Sequence, residues 1–367
     1  MRRIARVASW VGGAAVVCLL ASRPAASAAE ALPVPAIDWD PRQYVCCRST
    51  EAPEIDGVLS DPAWTATPWT EDFVDIEGPA RPAPRFRTRA KMVWDDEFLY
   101  VGAELAEPDV WATLRERDSV IYHDNDFEVF IDPDGDTHEY YELEVNALGT
   151  EWDLLLMRPY RDGGPAVNAW DIGGLRTGVS VAGTLNRPGD IDDGWTVEIA
   201  IPWQVLSECA HRDAPPGPGD EWRLNFSRVE WRVRASEGGY AKETDPVTGK
   251  SFPEDNWVWS PQGLVAMHYP EMWGIVRFSD AAGARCEEPF TRDPRHEAAW
   301  ALRRVYYAER NWLAAHGSCT ADLDALGVGA VAGEGRLSLS AGADWFVAAV
   351  ALPDGGTLHI REDGRVW

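Results

Sequence analysis

Short segments of alternating apolar and polar residues, separated by turn residues, occupy most of this 367-residue chain between residues 55 and 278. In a β-strand, such alternation places apolar side chains on one face and polar side chains on the other. Turn residues such as Asp95-Asp96 and Asp192-Asp193-Gly194 stand between the segments. Many short strands and few helices predict an all-β fold, a sandwich or a barrel. The clearest predicted strands are 88–94, 98–105, 127–132, 140–147, 195–201 and 222–229.

The pattern changes after Cys286. Between Asp293 and His316 apolar residues recur at helical spacing, and Gly317 follows as a typical helix stop. Three alternating segments come next, with a hairpin turn at Asp354-Gly355-Gly356 between the last two. Residues 286–367 are therefore predicted to form a small helix-plus-hairpin appendage.

The N-terminal residues are typical of an export signal. A basic start at Arg2 and Arg3 precedes an apolar run, and Ala26-Ser27-Ala28 is a small-residue cleavage pattern. We expect residues 1–28 to be a signal peptide cleaved after Ala28, and 29–50 to be an N-terminal arm or linker. The protein is then secreted or periplasmic. The apolar run is too short for a spanning helix, which needs about 20 residues, so we do not expect the chain to span a membrane.

Composition limits the ligand class. The formal net charge of -26 makes nucleic acid an unfavourable partner, since phosphate backbones are also anionic. Five cysteines remain after residue 28, and their pairing is not predictable from spacing. Protein partners are equally undetermined by the sequence.

One acidic hairpin, FEVFIDPDGDTHEYYELEVN, stands out at residues 127–146. If Ile131 pairs with Tyr141, Glu128 lies opposite Glu144 and Asp126 lies opposite Asn146. Like charges directly opposite each other on neighbouring strands destabilise a sheet. A cation, an arginine, a shared proton or solvent must therefore offset the Glu128–Glu144 pair.

The tip of this hairpin offers a weak candidate metal site. Asp132, Asp134 and Asp136 have the first three ligand spacings of an EF-hand loop. However, Thr137 and Leu143 stand where that loop needs glycine and glutamate, and the flanking segments are strands. An EF-hand is excluded, which leaves a looser calcium site or a solvated turn.

Five sequence pieces follow one another between residues 55 and 278: IDGVLSDPAW, MVWDDEFLYVGAEL, HDNDFEVFID, GWTVEIAIPW, and WSPQG with PEMWGIVRF. In this order they resemble the family 9 carbohydrate-binding modules. The resemblance implies a jelly-roll-type β-sandwich over residues 51–285 that binds sugar without altering it. It also implies structural calcium and an association with polysaccharide breakdown or uptake. No residue is assigned a catalytic role.

The resemblance also implies a sugar ring held by aromatic side chains, with its hydroxyls bound by polar groups. Glu128 matches a family glutamate, Asn146 an asparagine, and Tyr122 the first of two aromatic residues. Glu144 stands where the family has arginine, and this departure creates the Glu–Glu pair. Arg228 is the candidate that replaces the lost charge.

The second aromatic residue of the family falls near Met267, which is not aromatic. Trp257, Trp259 and Tyr269 are the candidates that take its place, because an aromatic ring can cover the apolar face of a pyranose. Trp257 and Trp259 alternate with Val258 and so share one face of a strand.

Two other functions are compatible with the same residues. Glu128 and Glu144 form a carboxylate pair of the kind that glycoside hydrolases use. Alternatively, Met267 and His268 are haem-ligand types, and related sandwich domains bind haem. Turnover of a chromogenic glycoside tests the first alternative, and a Soret absorption band tests the second.

Overall fold

The structure is a computed structural model that describes residues 31–210, 214–282, 289–329 and 337–367. The predicted signal peptide and Cys286 lie outside these ranges. Strands dominate residues 43–279, and no helix among the described residues is long and apolar enough to cross a membrane. The strands of this part are β1 Gln43–Arg48, β2 Val74–Asp75, β3 Thr88–Trp94, β4 Phe98–Ala106, β5 Asp126–Asp132, β6 Tyr140–Asn146, β7 Glu151–Leu156, β8 Ala166–Val167, β9 Arg176–Ala182, β10 Gly194–Pro202, β11 Glu221–Glu230, β12 Val233–Ser236, β13 Gly239–Lys242, β14 Asp255–Val258 and β15 Gly274–Ser279.

Thirteen of these strands form one sheet. Along the sheet the order is β8-β7-β6-β5-β11-β15-β1-β3-β4-β10-β9, and β14 joins β11 to β2. The pairs β1–β15 and β1–β3 are parallel, whereas the other pairs of this sheet are antiparallel. Strands β12 and β13 form a separate hairpin. Short α-helices lie at α1 Pro62–Thr65 and α2 Trp203–Leu206, and 3-10 turns at Gly78–Ala80, Ile121–His123, Tyr160–Asp162 and Pro270–Met272.

The main core lies between the two halves of this curled sheet. Apolar residues of β5 and β6, such as Phe127 and Val145, pack in one buried cluster with residues of β4 and β10, such as Val101 and Val197. This arrangement confirms the predicted all-β sandwich. Because apolar side chains of β5 and β6 face inward, the alternate residues of both strands project from the outer face.

The C-terminal part forms a second core against the sandwich. Helix α3, Pro294–His316, begins after Asp293, whose side chain accepts a hydrogen bond from the backbone N–H of Arg295, and ends at Gly317 in a left-handed conformation. The predicted helix is thus confirmed. The predicted hairpin forms between the last two segments, and the first alternating segment adds a third antiparallel strand to it. Its strands are β16 Leu337–Ala341, β17 Phe346–Ala351 and β18 Thr357–Arg361.

The N-terminal arm lies along α3. The backbone N–H of Leu32 donates to the Asn311 side chain at 2.7 Å, and the rings of Trp39 and Trp300 stack with centroids 5.6 Å apart. Arm residues and α3 residues belong to the same apolar cluster as Tyr269 and Met272 of the sandwich.

Buried Glu271 joins these three parts. Its carboxylate accepts a hydrogen bond from Arg161 of the sandwich at 2.8 Å and another from the Tyr307 hydroxyl of α3. Its backbone carbonyl accepts from the Trp39 indole of the arm at 3.0 Å. Burial alone would raise the pKa of Glu271. The charges of Arg161 and Arg303, with the hydrogen bonds, outweigh burial and lower the pKa to about 2.

This depressed pKa predicts an acid-sensitive docking of the appendage. A carboxyl whose pKa is lower in the folded state stabilises that state above its unfolded pKa, here 4.5, and loses the contribution as the pH falls toward 2. Glu271→Gln should therefore lower the free energy of unfolding at pH 7 by roughly 2–4 kcal/mol. The difference from the native protein should shrink between pH 4.5 and 2. Urea unfolding followed by tryptophan fluorescence measures it. Exposed Glu297→Gln is the matched control, and an equal effect of the two variants would contradict the expectation.

Candidate functional site

The strand register predicted for the acidic hairpin is confirmed. Strand β5 pairs with β6 so that Glu128 lies opposite Glu144, Asp126 opposite Asn146, and Ile131 opposite Tyr141. Since Phe127 and Val145 face the core, these acidic residues lie on the outer face of the sheet.

Four carboxylates collect on this outer face. Asp126, Glu128, Glu142 and Glu144 are all buried, and only Glu128 and Glu142 retain a few per cent of exposure. One carboxylate oxygen each of Asp126, Glu128 and Glu144 lie within 4.8 Å of one another. We call these four residues the acidic floor.

Burial and mutual repulsion raise the pKa values of the acidic floor. Burial, with the charge of Glu254, raises the pKa of Glu128 to about 7. Burial, with the charge of Glu128, raises the pKa values of Asp126, Glu142 and Glu144 well above their usual range. The cost of ionising several carboxylates at this spot is thus high.

No cationic side chain forms an ion pair with the acidic floor in the part of the chain that the structure describes. Among the described contacts, the hydrogen bonds that these carboxylates accept come from backbone groups. The N–H of Val229 donates to Asp126 at 3.0 Å, and the N–H of Tyr122 donates to Glu144 at 2.9 Å. The nearby Lys242 ammonium instead lies over the Trp231 ring, 3.2 Å from its centroid.

Buried oxygen atoms in the floor lack hydrogen-bond partners. They are Asp126 Oδ2, Glu142 Oε2 and the hydroxyl oxygen of Ser227, the residue of β11 that pairs with Glu128. The Ser227 hydroxyl lies close enough to Glu128 to favour the ionised carboxylate, yet it makes no hydrogen bond of normal geometry. Unsatisfied buried polar atoms are rare and point to a missing ligand or ion.

Exposed aromatic rings border the acidic floor. Tyr122 is 38% exposed, and its ring lies 6.3 Å from that of Trp152, which is opposite Glu144 on β7. Tyr160 is 54% exposed, and burial together with the charges of Glu142 and Glu144 raises its pKa to about 12. Polar groups beneath exposed rings are suited to a ligand with both an apolar face and hydroxyl groups.

Asn146 lies on the same face but is fully occupied by structural hydrogen bonds. Its side-chain N–H groups donate to the Leu114 carbonyl at 2.9 Å and to Asp124 at 3.1 Å. Its side-chain oxygen accepts from the backbone N–H groups of Leu148 and Thr150 at 3.0 Å each. The expected contact of Asn146 with a ligand is not supported by this geometry.

Arg228 does not supply the expected counter-charge. On β11 it alternates with Ser227, so its side chain lies on the inner face together with Phe226. There its guanidinium donates to Glu107 at 2.6 Å and to Glu230 at 2.8 Å. The sheet thus separates Arg228 from the Glu128–Glu144 pair.

The three candidate replacements for the second aromatic residue are buried. Trp257 pairs with Arg228 across β14 and β11 and belongs to the inner core, as does the fully buried Trp259. Tyr269 stacks with Tyr307 beneath the appendage and is 4% exposed. None of the three can stack on a ligand without rearrangement. The expected stacking contact is not supported by this geometry.

The hairpin tip is an attachment point for the C-terminal strand region. Asp136 pairs with Arg365 at 2.8 Å, and Asp132 accepts hydrogen bonds from the backbone N–H groups of Gly135 and Thr137 at 2.9 Å. One oxygen each of Asp132, Asp134 and Asp136 still lie within 4.8 Å of one another, so the tip retains a geometry that can hold an ion.

Met267 and His268 are packed side chains. Met267 is 9% exposed within an apolar cluster with Phe130 and Trp273. The His268 ring shares a hydrogen bond of 2.9 Å with the Tyr140 hydroxyl, and its centroid lies 4.4 Å from that of Tyr160.

Sequence reasoning missed four residues of this face: Glu142, Trp152, Tyr160 and Ser227. Glu142 follows the same alternation as Glu144 on β6, so the pattern contained the signal for it. The positions of the Trp152 and Tyr160 rings depend on how β7 and the turn after it fold over the hairpin. No pattern within one segment predicts this packing.

Part of the chain is similar to a known protein family. Residues 55–215 match the family described as "Carbohydrate family 9 binding domain-like". The resemblance found in the sequence is therefore confirmed for this segment, which is similar to that family.

Individual relatives are distant. Over 120 residues the chain is 28% identical to exoglucanase XynX of Acetivibrio thermocellus, and the match covers 32% of the chain but 9% of that protein. A family 9 carbohydrate-binding module from Caldicellulosiruptor kristjanssonii, solved with cellotriose, is 18% identical in sequence to this chain. The match covers 68% of this chain and 100% of the module, with a TM-score of 0.41. A putative carbohydrate-binding protein from Bacteroides uniformis is 16% identical in sequence. The match covers 65% of this chain and 100% of that protein, with a TM-score of 0.47.

The placement of Arg228 predicts a structural phenotype. Arg228→Leu leaves Glu107 and Glu230 buried without their cation, and it should lower the free energy of unfolding by about 3–5 kcal/mol. The half-exposed Arg87, which pairs with Glu104, is the matched control, and Arg87→Leu should cost at most about 1 kcal/mol. Urea unfolding compares the two. Equal small losses would contradict the inner-face placement.

Proposed function

We propose that this protein binds carbohydrate without altering it, on the outer face between Tyr122 and Tyr160. The observation that carries the proposal is the pair of exposed tyrosines beside a floor of buried acceptor oxygens, within a family 9-like domain. A pyranose has an apolar face that a ring covers and hydroxyl groups that need polar partners.

Each group then has a distinct role. Tyr122 and Tyr160 cover the sugar, while Glu128, Glu142 and Glu144 accept hydrogen bonds from its hydroxyls. Tyr160 takes the part that the sequence assigned to Trp257, Trp259 or Tyr269. Because the floor offers mainly acceptors, it favours ligands rich in donor groups.

The cellular setting is part of the same proposal. The signal-peptide pattern before Ala28 supports a secreted or periplasmic protein. The family-9-like domain supports a role beside polysaccharide breakdown or uptake, and calcium is the proposed cofactor. The match to an exoglucanase covers too little of that protein to extend its activity to this chain.

A glycan-binding screen tests the proposal. Residues 29–367 are applied to oligosaccharides and polysaccharides, and affinities for the hits are measured by calorimetry. Tyr122→Ala should weaken binding about tenfold, which corresponds to about 1.4 kcal/mol of lost ring contact, whereas Tyr122→Phe should bind almost normally.

Trp345→Ala provides the matched control, because Trp345 is an exposed ring of the appendage, 46% accessible. An equal loss in Trp345→Ala, or no hit for a folded protein, would contradict the proposal. Release of an aryl leaving group from chromogenic glycosides by the same preparation would favour the hydrolase alternative, and a Soret band would favour haem.

A further inference from the structure

The acidic floor has a donor set suited to a hard cation. All of its polar atoms are oxygens, from the carboxylates of Asp126, Glu128, Glu142 and Glu144 and the hydroxyl of Ser227. Oxygen-only sites without histidine or cysteine suit calcium or magnesium rather than zinc or copper.

The spacing of the carboxylates fits one ion. Calcium binds oxygen ligands at about 2.3–2.6 Å, so two ligands on opposite sides of it are separated by about 4.6–5.2 Å. The oxygens of Asp126, Glu128 and Glu144 lie within 4.8 Å of one another. A single ion can therefore contact all three residues.

Buried atoms without partners point to the same place. Ser227 is fully buried, its hydroxyl makes no hydrogen bond of normal geometry, and it lies on the floor side of β11 opposite Glu128. Asp126 Oδ2 is likewise buried without a partner, while Asp126 Oδ1 accepts from the Val229 N–H. Each of these oxygens is a free ligand position.

No cationic side chain among the described residues pairs with these carboxylates. The neighbouring positive groups are engaged elsewhere: Lys242 lies over Trp231, and Arg161 pairs with Asp162 and Glu271. An ion would also relieve the repulsion between Glu128 and Glu144, which directly oppose each other.

We infer that the acidic floor is a calcium site formed by Asp126, Glu128 and Glu144, with Ser227 and Glu142 as additional oxygen donors. This site is distinct from the hairpin tip at Asp132, Asp134 and Asp136. Calcium is favoured over magnesium because it accepts six to eight oxygen ligands in irregular geometry, whereas magnesium demands a near-ideal octahedron and retains several waters. If the sugar binds between Tyr122 and Tyr160, as the proposed function has it, the ion lies beneath the sugar ring. The hydroxyl oxygens of the sugar can then coordinate the ion.

Terbium luminescence tests the site without any sugar, so its outcome is independent of the proposed function. Terbium replaces calcium, and its emission is excited through aromatic rings close to the ion. Tyr122 and Trp152 border the floor. Metal-free residues 29–367 should show saturable emission that calcium displaces.

Three variants locate the ion. Glu128→Gln and Asp126→Asn should each weaken terbium binding at least tenfold, whereas Asp134→Asn at the hairpin tip should leave the floor signal unchanged. Both floor variants remove a buried like charge, so they should fold without metal, which circular dichroism verifies. Thermal melts add a second readout: calcium should raise the Tm of the native protein and of Asp134→Asn but not of Glu128→Gln.

The possible results separate the alternatives. Retained binding in both floor variants with loss in Asp134→Asn would place the ion at the tip and overturn the inference. Absence of saturable binding and of a calcium-dependent Tm shift would mean that shared protons neutralise the floor, and would also overturn it. Metal binding without any glycan hit would support the calcium site and count against the proposed function alone.

Discussion

The fold is constrained most strongly by the acidic residues that the strand alternation places together on the outer face of β5 and β6. Phe127 and Val129 must face the core, and the period of two then sends Asp126 and Glu128 outward. If β5 were shifted by one residue in register, Glu128 would no longer lie opposite Glu144. The same shift would turn the core-facing residues Phe127 and Val129 toward the outer face. The sheet therefore keeps Glu128 opposite Glu144, and something other than the strand pairing has to compensate for the charge.

The two faces of the sheet deal with buried charge in different ways. On the inner face, Arg228 forms ion pairs with Glu107 and Glu230 inside the core. On the outer face, the carboxylates have no such partner among the described residues, and Tyr122 and Tyr160 border them. The inner network is closed to solvent and serves stability. The outer cluster is the one with accessible rings and unpartnered oxygens, which is why the ligand site and the cation are both assigned there.

Local patterns predicted the fold class, helix α3 and the register of the acidic hairpin, because each depends on periodicity within one segment. The inward direction of Arg228 was also present in the pattern, since it shares its face with Phe226. The burial of Trp259 and Tyr269 was not predictable locally. It depends on the packing of β14 against β11 and of the appendage on the sandwich. For the same reason no pattern revealed Tyr160, which belongs to a turn after β7.

The most direct test of the account is a crystal structure of residues 29–367 grown with terbium, with anomalous scattering used to locate the ion. The account predicts an anomalous peak between Asp126, Glu128 and Glu144, at about 2.3–2.6 Å from one oxygen of each. A peak confined to Asp132, Asp134 and Asp136, or no peak beside an ordered acidic floor, would contradict it.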